Sequence, residues 1–369
     1  MRPIRAATSL SMSERIEIHT LTDGGQQPLE IAQRVAAFLD GAQTTLDVAQ
    51  YDFNLGPETA AVVGDAFRRA AARGVKTRFI FNVDHAMPIP VPPPAEPDVE
   101  LIATLPVSGK PIAGVPDLMH HKYVVRDDET IWTGSLNWTD DSWSRQENAV
   151  AVVHSAAIAK AYRLDFDQLW TTTDVYKSGY VDPRWDDGIR AWFTPGHGED
   201  LSSRIAKLIR RARKRVRICS PVITTGPVLG TLAQVISDRS VDLAGCVDAT
   251  QIREVVHQWH VDGNGSWKLP LLEQLIASGE FNGKLSTPYG SGTVHDFMHA
   301  KVCVCDDTTF IGSFNLSRSG EKNAENVLEI EDPGVADQLA AFVDAVRARY
   351  PKLTSVPDGS GPPSGAGAT

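Results

Sequence analysis

HHKYVVRDDETIWTGSLNW, residues 120–138, and HAKVCVCDDTTFIGSFNLS, residues 299–317, are two versions of one cluster, and their agreement decides how the chain is organised. Each opens on H-x-K-x4-D, as His120, Lys122 and Asp127 and again as His299, Lys301 and Asp306. Each then runs on to G-S-x-N, with Gly134, Ser135 and Asn137 in the first and Gly312, Ser313 and Asn315 in the second. A histidine and a lysine two apart on a strand project to the same face, so a ring nitrogen and an ammonium can meet one phosphate there. The runs YVV and VCV that follow support a strand. One such motif is a weak signal, but two, each with G-S-x-N behind it, are not chance.

The repetition extends upstream. Residues 34–53, RVAAFLDGAQTTLDVAQYDF, lie without a gap on residues 204–223, RIAKLIRRARKRVRICSPVI. Both begin with a helical apolar period (Val35, Phe38, Leu39, Ala42; Ile205, Leu208, Ile209, Ala212) and pass into alternation (Leu46, Val48; Val216, Ile218). A second helix and strand follow, from Glu58 to Arg73 and Val75 to Val83 in one copy, and from Leu229 to Asp238 and Val241 to Val247 in the other. Alternating helices and strands in a tandem duplication predict a layered α/β protein. Between strand and motif lie the long stretches Met87–Met119, with six prolines between Pro88 and Pro97, and Ala249–Met298, both read as loops. Organisation is therefore expected as a first domain over 15–176, a linker over 177–200, a second domain over 201–350, and a disordered Gly/Pro/Ser tail over 357–369.

Composition bounds the function. Hydrophobic content of 42% and charged content of 22% over 369 residues describe a water-soluble globular chain. A formal charge of −10 weakens bulk binding to polyphosphate backbones while leaving room for a local basic groove. Four cysteines are too few for a disulfide scaffold, and no stretch reaches the apolar length of a membrane span. A cytoplasmic location is the expectation.

With both motifs in hand, the chain resembles the phospholipase D superfamily, over roughly residues 31–153 and 201–331. The resemblance implies two tandem pseudo-symmetric α/β/α sandwich domains with mixed central sheets and one active site at their interface. It implies a phosphohistidine mechanism, in which one imidazole attacks phosphorus while another protonates the departing oxygen. His120 is then the nucleophile and His299 the general acid, later the base that activates water. Lys122, Lys301, Asn137 and Asn315 donate to the phosphate oxygens, with Ser135 and Ser313 beside them, and neither metal nor cofactor is required. Glu147 and Glu325, each followed by Asn, look like the family's carboxylates that orient the histidines. Asp127 and Asp306, whose charge repels phosphate, take a structural role behind the site.

Other residues admit plainer readings. Cys303 and Cys305 share one face of a presumed core strand, and His257 and His260 sit at i and i+3 on a helix. His121 alternates away from its motif neighbours and is expected to pack. The basic run Arg210–Arg217 reads as a solvated helix end, while Trp138, Trp143, Trp259 and Trp267 are either cleft or core residues.

The motifs do not choose among lipid headgroup hydrolysis, nucleic-acid cleavage and phosphatidyl transfer to an alcohol. The ENAV and AENVL that follow the motifs resemble the nuclease-like branch of the superfamily. The negative total charge and the apolar MPIPVPPP and DLM stretches favour a phospholipid headgroup ester, with possible peripheral membrane contact and no obligate protein partner. The absence of apolar spans disfavours phosphatidyl transfer. A silent scaffold is disfavoured because both motif sets are intact.

Overall fold

The alternation read in each repeat becomes a seven-stranded sheet, and the computed structural model contains two of them. It describes residues 12–85, 96–239, 241–263, 265, 267–288 and 292–356. The first sheet is built from β1 (Ile16–Leu21), β2 (Thr45–Gln50), β3 (Lys76–Val83), β4 (Ser108–Ala113), β5 (Lys122–Arg126), β6 (Thr130–Gly134) and β7 (Asn148–His154). The second is built from β8 (Ile189–Thr194), β9 (Arg215–Cys219), β10 (Asp242–Asp248), β11 (Phe281–Lys284), β12 (Val302–Cys305), β13 (Thr308–Gly312) and β14 (Glu325–Glu331).

The strand orders are β1-β7-β6-β5-β2-β3-β4 and β8-β14-β13-β12-β9-β10-β11, so adding seven to each label of the first gives the second. In both, β2–β3–β4 and β9–β10–β11 are parallel and the remaining neighbours antiparallel. These are the two mixed-sheet halves that the resemblance implied.

Helices Pro28–Asp40 and Pro57–Ala72 cover the outer face of the first sheet, where Val35, Leu39 and Phe67 pack with Val48 and Phe79. Helices Gly198–Arg211 and Gly226–Asp238 do the same for the second sheet, through Ile205, Ile209 and Leu232 against Val216 and Ile218. The inner faces share one core. Tyr123, Val125 and Ile131 from the first sheet join Val302, Val304 and Leu328 from the second, with helices Ala156–Thr172 and Pro333–Ala348 between them through Phe166, Leu169, Leu339 and Val343. Each such side chain contributes about 1.5–3 kcal/mol when fully buried. The repeats are therefore joined by a folding core of the same kind as those inside them.

Three expectations need correction. The stretches read as long loops hold regular structure: helix Val99–Ala103 and β4 in one, helices Ala249–Asp262 and Leu269–Ala277 and β11 in the other. SGKPIA and FNGK carry no alternation because they are short strands at a sheet end, where proline and glycine are tolerated. Residues 177–200, expected as linker, contain β8, which pairs along its whole length with β14. In the basic run, Arg210, Arg211, Arg213 and Lys214 are exposed, but Arg217 is buried against Asp242 and Asp344 at 2.6 and 2.9 Å.

Cys303 and Cys305 are buried on β12, and His260 is exposed on its helix with His257 half-buried. Most of the Pro88–Pro97 stretch and the whole tail from Pro357 lie outside the described residues. Among the described residues, no helix is long and apolar enough to cross a membrane.

Candidate active site

Each motif histidine stands just ahead of its strand and is fastened by the backbone of the other repeat. His120 N–H donates to the Ala324 carbonyl at 2.9 Å, and His299 N–H donates to the Glu147 carbonyl at 3.2 Å. The residue before each histidine makes a parallel bridge to the opposite repeat, Met119 with Ala324 and Met298 with Glu147. Side chains at the ends of the parallel strands hold the same points: Asn82 accepts from Met119 N–H at 2.9 Å, and Asp248 from Met298 N–H at 3.0 Å.

The result is one cleft of about 640 Å3 lined by both repeats, with His120 and Asn137 from the first and His299 and Asn315 from the second. Lys122 and Lys301 are buried beside it, and each ammonium donates to the carbonyl of its own motif histidine, at 2.8 and 2.6 Å. The side-chain oxygens of Asn137 and Asn315 are buried and have no hydrogen-bond partner among the described residues. The two asparagines line the cleft at matching positions of the two repeats. Gly134 and Gly312 let the adjacent strand approach closely, since a Cβ at either would stand 2.2 or 2.0 Å from its carbonyl oxygen.

The two halves are wired differently behind the histidines. His120 Nδ1 donates to Glu325 Oε2 at 2.8 Å. His299 Nδ1 meets a carboxamide instead, Asn148 Oδ1 at 3.1 Å, which also accepts from Ser135 Oγ at 2.6 Å. Glu147, read as the counterpart of Glu325, is engaged elsewhere: Lys284 Nζ lies 3.0 Å from Oε2, and the Tyr350 hydroxyl donates to Oε1. Asn326, the counterpart of Asn148, accepts from His121 Nδ1 at 3.2 Å and from Ser313 Oγ at 3.4 Å. His121 is fully buried, with its Nε2 3.0 Å from Asp165.

Asp127 and Asp306 sit outside the cleft. Each carboxylate accepts three backbone N–H groups, from Gln43, Thr44 and Thr45 or from Arg213, Lys214 and Arg215, and so pins the turn that enters β2 or β9. Burial pushes both carboxyls up, but these donors outweigh it and hold them below the usual range.

Burial also sets the charge state of the cleft. Desolvation first, then Lys122 and Lys301, hold both histidines well below their ordinary value. Lys122 falls to about 7 through burial, opposed by Glu325 and Asp52. Glu325 and Asp52 rise to about 7, again through burial, opposed by Lys122. Neutral imidazoles beside poised cations suit a site that takes up an anion.

Several residues here carried no sequence motif. Tyr51 packs its ring 4.5 Å from His120 and 4.6 Å under Lys122 Nζ, and Asp52 lines the cleft. Lys284, Tyr350 and Asp248 stand behind it. Of the four tryptophans weighed as cleft or core residues, Trp138 and Trp143 are fully buried in the outer core, while Trp259 and Trp267 line the cleft.

The domain family described as "Cardiolipin synthase, PLD-like domain" matches residues 35–170 and 205–346. The mitochondrial cardiolipin hydrolase of Xenopus laevis is 38% identical over 56 residues, 15% of this chain and 27% of that protein. The mouse protein of the same name is 25% identical over 149 residues, 40% of this chain and 61% of its own length. The match thus spans less than two thirds of these relatives. Among solved structures, phosphatidylserine synthase of Haemophilus influenzae superposes with a TM-score of 0.62 at 15% identity, covering 93% of this chain and 88% of that one. Polyphosphate kinase of Porphyromonas gingivalis gives 0.57 at 10% identity, covering 90% and 47%. Likeness at these identities speaks to the fold alone. With the family's domain matched once in each repeat, the chain belongs to the phospholipase D superfamily.

Proposed function

We propose that this chain is a phosphodiester hydrolase that works through a phosphohistidine, with a phospholipid headgroup ester as its substrate. The observation that carries the reading is the convergence of His120 and His299, two buried lysines and two asparagines on one cleft. In this reading His120 Nε2 attacks phosphorus and the headgroup alcohol leaves with a proton from His299. Water then attacks the phosphohistidine, giving its proton to His299, and phosphatidic acid is released. Lys122 and Lys301 offset the charge that grows on the phosphate oxygens. Asn137 and Asn315 donate to them through their amide groups.

The lipid reading is supported by apolar lining from Leu118, Val222, Val255 and Phe297, and by the names of the curated relatives. A second reading, nucleic-acid cleavage, is favoured by one feature: Trp259, Trp267, Lys268 and Arg318 lie together on the cleft wall of the second repeat. Indoles beside cations suit stacked bases and backbone phosphates. The test offers phosphatidylcholine and cardiolipin vesicles, single-stranded DNA and bis(p-nitrophenyl) phosphate in parallel, with and without a chelator. Release of phosphatidic acid from vesicles, undiminished by chelation, is the expected result. Salt-sensitive DNA cleavage without any lipid product selects the nuclease instead.

A further inference from the structure

The two repeats agree in strand order and motif, so a difference between them at the centre of the site requires a local cause. Asn82 pairs with Ile112 across β3 and β4, and Asp248 pairs with Lys284 across β10 and β11. Because Asn82 and Asp248 hold the equivalent Met N–H groups, Ile112 and Lys284 occupy equivalent positions. The first repeat has an isoleucine in the shared core there, and the second has a buried lysine.

That lysine determines where Glu147 goes. Lys284 Nζ lies 3.0 Å from Glu147 Oε2, 3.1 Å from Asp23 Oδ2 and 3.0 Å from the Arg145 carbonyl, with its side chain 4% exposed and that of Glu147 fully buried. Glu147 Oε1 takes the Tyr350 hydroxyl and the Asp23 N–H. Both oxygens are occupied without His299. A second difference completes the rewiring: position 300 is alanine where position 121 is histidine. Asn326 is engaged by His121, whereas Asn148 faces no such ring and turns its oxygen to His299.

The consequence is electrostatic. An imidazole that accepts a phosphoryl group on Nε2 while keeping its Nδ1 proton is a cation, and a carboxylate on Nδ1 stabilises it. A carboxamide fixes the same tautomer but offers no countercharge. Resting on the hydrolase reading above, we propose that Lys284 is a positioning residue that gives the two histidines different tasks. By engaging Glu147 it leaves His299 on the neutral Asn148, so that only His120 is backed by a carboxylate and accepts the phosphoryl group. The proton on His299 is then balanced by the bound phosphate rather than by the protein, which couples its protonation to substrate binding.

The test is an NMR titration of the full chain carrying labelled histidine, with His120→Ala and His299→Ala used to assign the two rings. Asn148→Asp places a carboxylate on His299 and is expected to raise its titration by roughly one unit or more. Lys284→Ile, which copies the first repeat, is expected to move it the same way by releasing Glu147, while Lys284→Arg leaves it unmoved. The alkaline limb of kcat/KM follows upward, since the acid stays protonated to higher pH. A His299 titration unchanged in folded Lys284→Ile, or in Asn148→Asp should the lysine variant not fold, overturns the proposal. So does base-stable phosphoryl label trapped on His299 of the native chain. The titration needs no turnover, so failure to hydrolyse any diester overturns the hydrolase reading alone.

Discussion

The carboxylate of Glu325 lies 2.8 Å from Nδ1 of His120, a residue 205 positions earlier and in the other repeat. His299 is held by Asn148 across the same boundary. Each imidazole is aimed by the half that does not carry it, so neither half holds a complete site.

Glu325→Gln is therefore expected to keep the fold and lower kcat by on the order of 10²-fold or more, as loss of a carboxylate behind a reacting imidazole does. Glu325→Ala is expected to cost more, because it also removes the tautomer-fixing acceptor. Steady-state kinetics on a small diester, with circular dichroism as the control, measure both.

The two histidines are expected to differ in their dependence on the leaving group. In the first step alone, read as single-turnover release of the alcohol before the hydrolysis that needs His299 as base, His299→Ala removes a proton donor worth about 10²–10⁴-fold, so release of an alkyl alcohol suffers fully while release of p-nitrophenolate is largely spared. His120→Ala is expected to abolish turnover of both. Equal losses on the two esters in His299→Ala would remove it from the acid role.

Asp52 supplies a pH test. Burial lowers Lys122 to about 7, and Asp52 opposes that fall, so the charged lysine is lost as pH rises through this range. Asp52→Asn withdraws the opposing charge, and the Lys122 titration, read by NMR on the lysine-labelled chain, is expected to move to lower pH. An upward movement would show that Asp52 acts on something other than Lys122.

Asp127 supplies a stability test. Its carboxyl is held below the usual range in the folded chain, so its contribution is present above the unfolded value near about 4 and is lost as pH falls through the folded one. Asp127→Asn weakens three backbone bonds and is expected to cost about 1–2 kcal/mol at pH 7 in urea unfolding. The gap between variant and native chain is expected to narrow as pH is taken below about 4 and to close once it passes the lower folded value, where the native carboxyl is also protonated.

Much of this architecture was legible because the duplication states it twice. Val48 and Val216, or His120 and His299, announce equivalent strands through periodicity and spacing alone. What the chain did not display is what depends on distant partners. Asp23, Glu147, Lys284 and Tyr350 meet from four corners of the sequence. Symmetry gave Glu147 the same task as Glu325, and what departs from that reading is its contact with Lys284, at a position where the first repeat has Ile112 and in strands with no alternating pattern. Tyr51 and Asp52 escaped for a related reason: their counterparts at the 170-residue offset are Pro221 and Val222, so the repeat does not flag them.

The core shared between the sheets has a meaning for ancestry. Each half turns an apolar sheet face and one helix toward its twin, and the pairing obeys an approximate two-fold operator, with Met119 on Ala324 mirrored by Met298 on Glu147. That is the geometry of an isologous dimer. A shorter forebear with one copy could have assembled the same cleft only by pairing with itself, and would have had two identical histidines facing one phosphate. In one polypeptide the two copies can differ, and a lysine in one where the other has isoleucine is a difference that no self-paired chain can carry on one side alone.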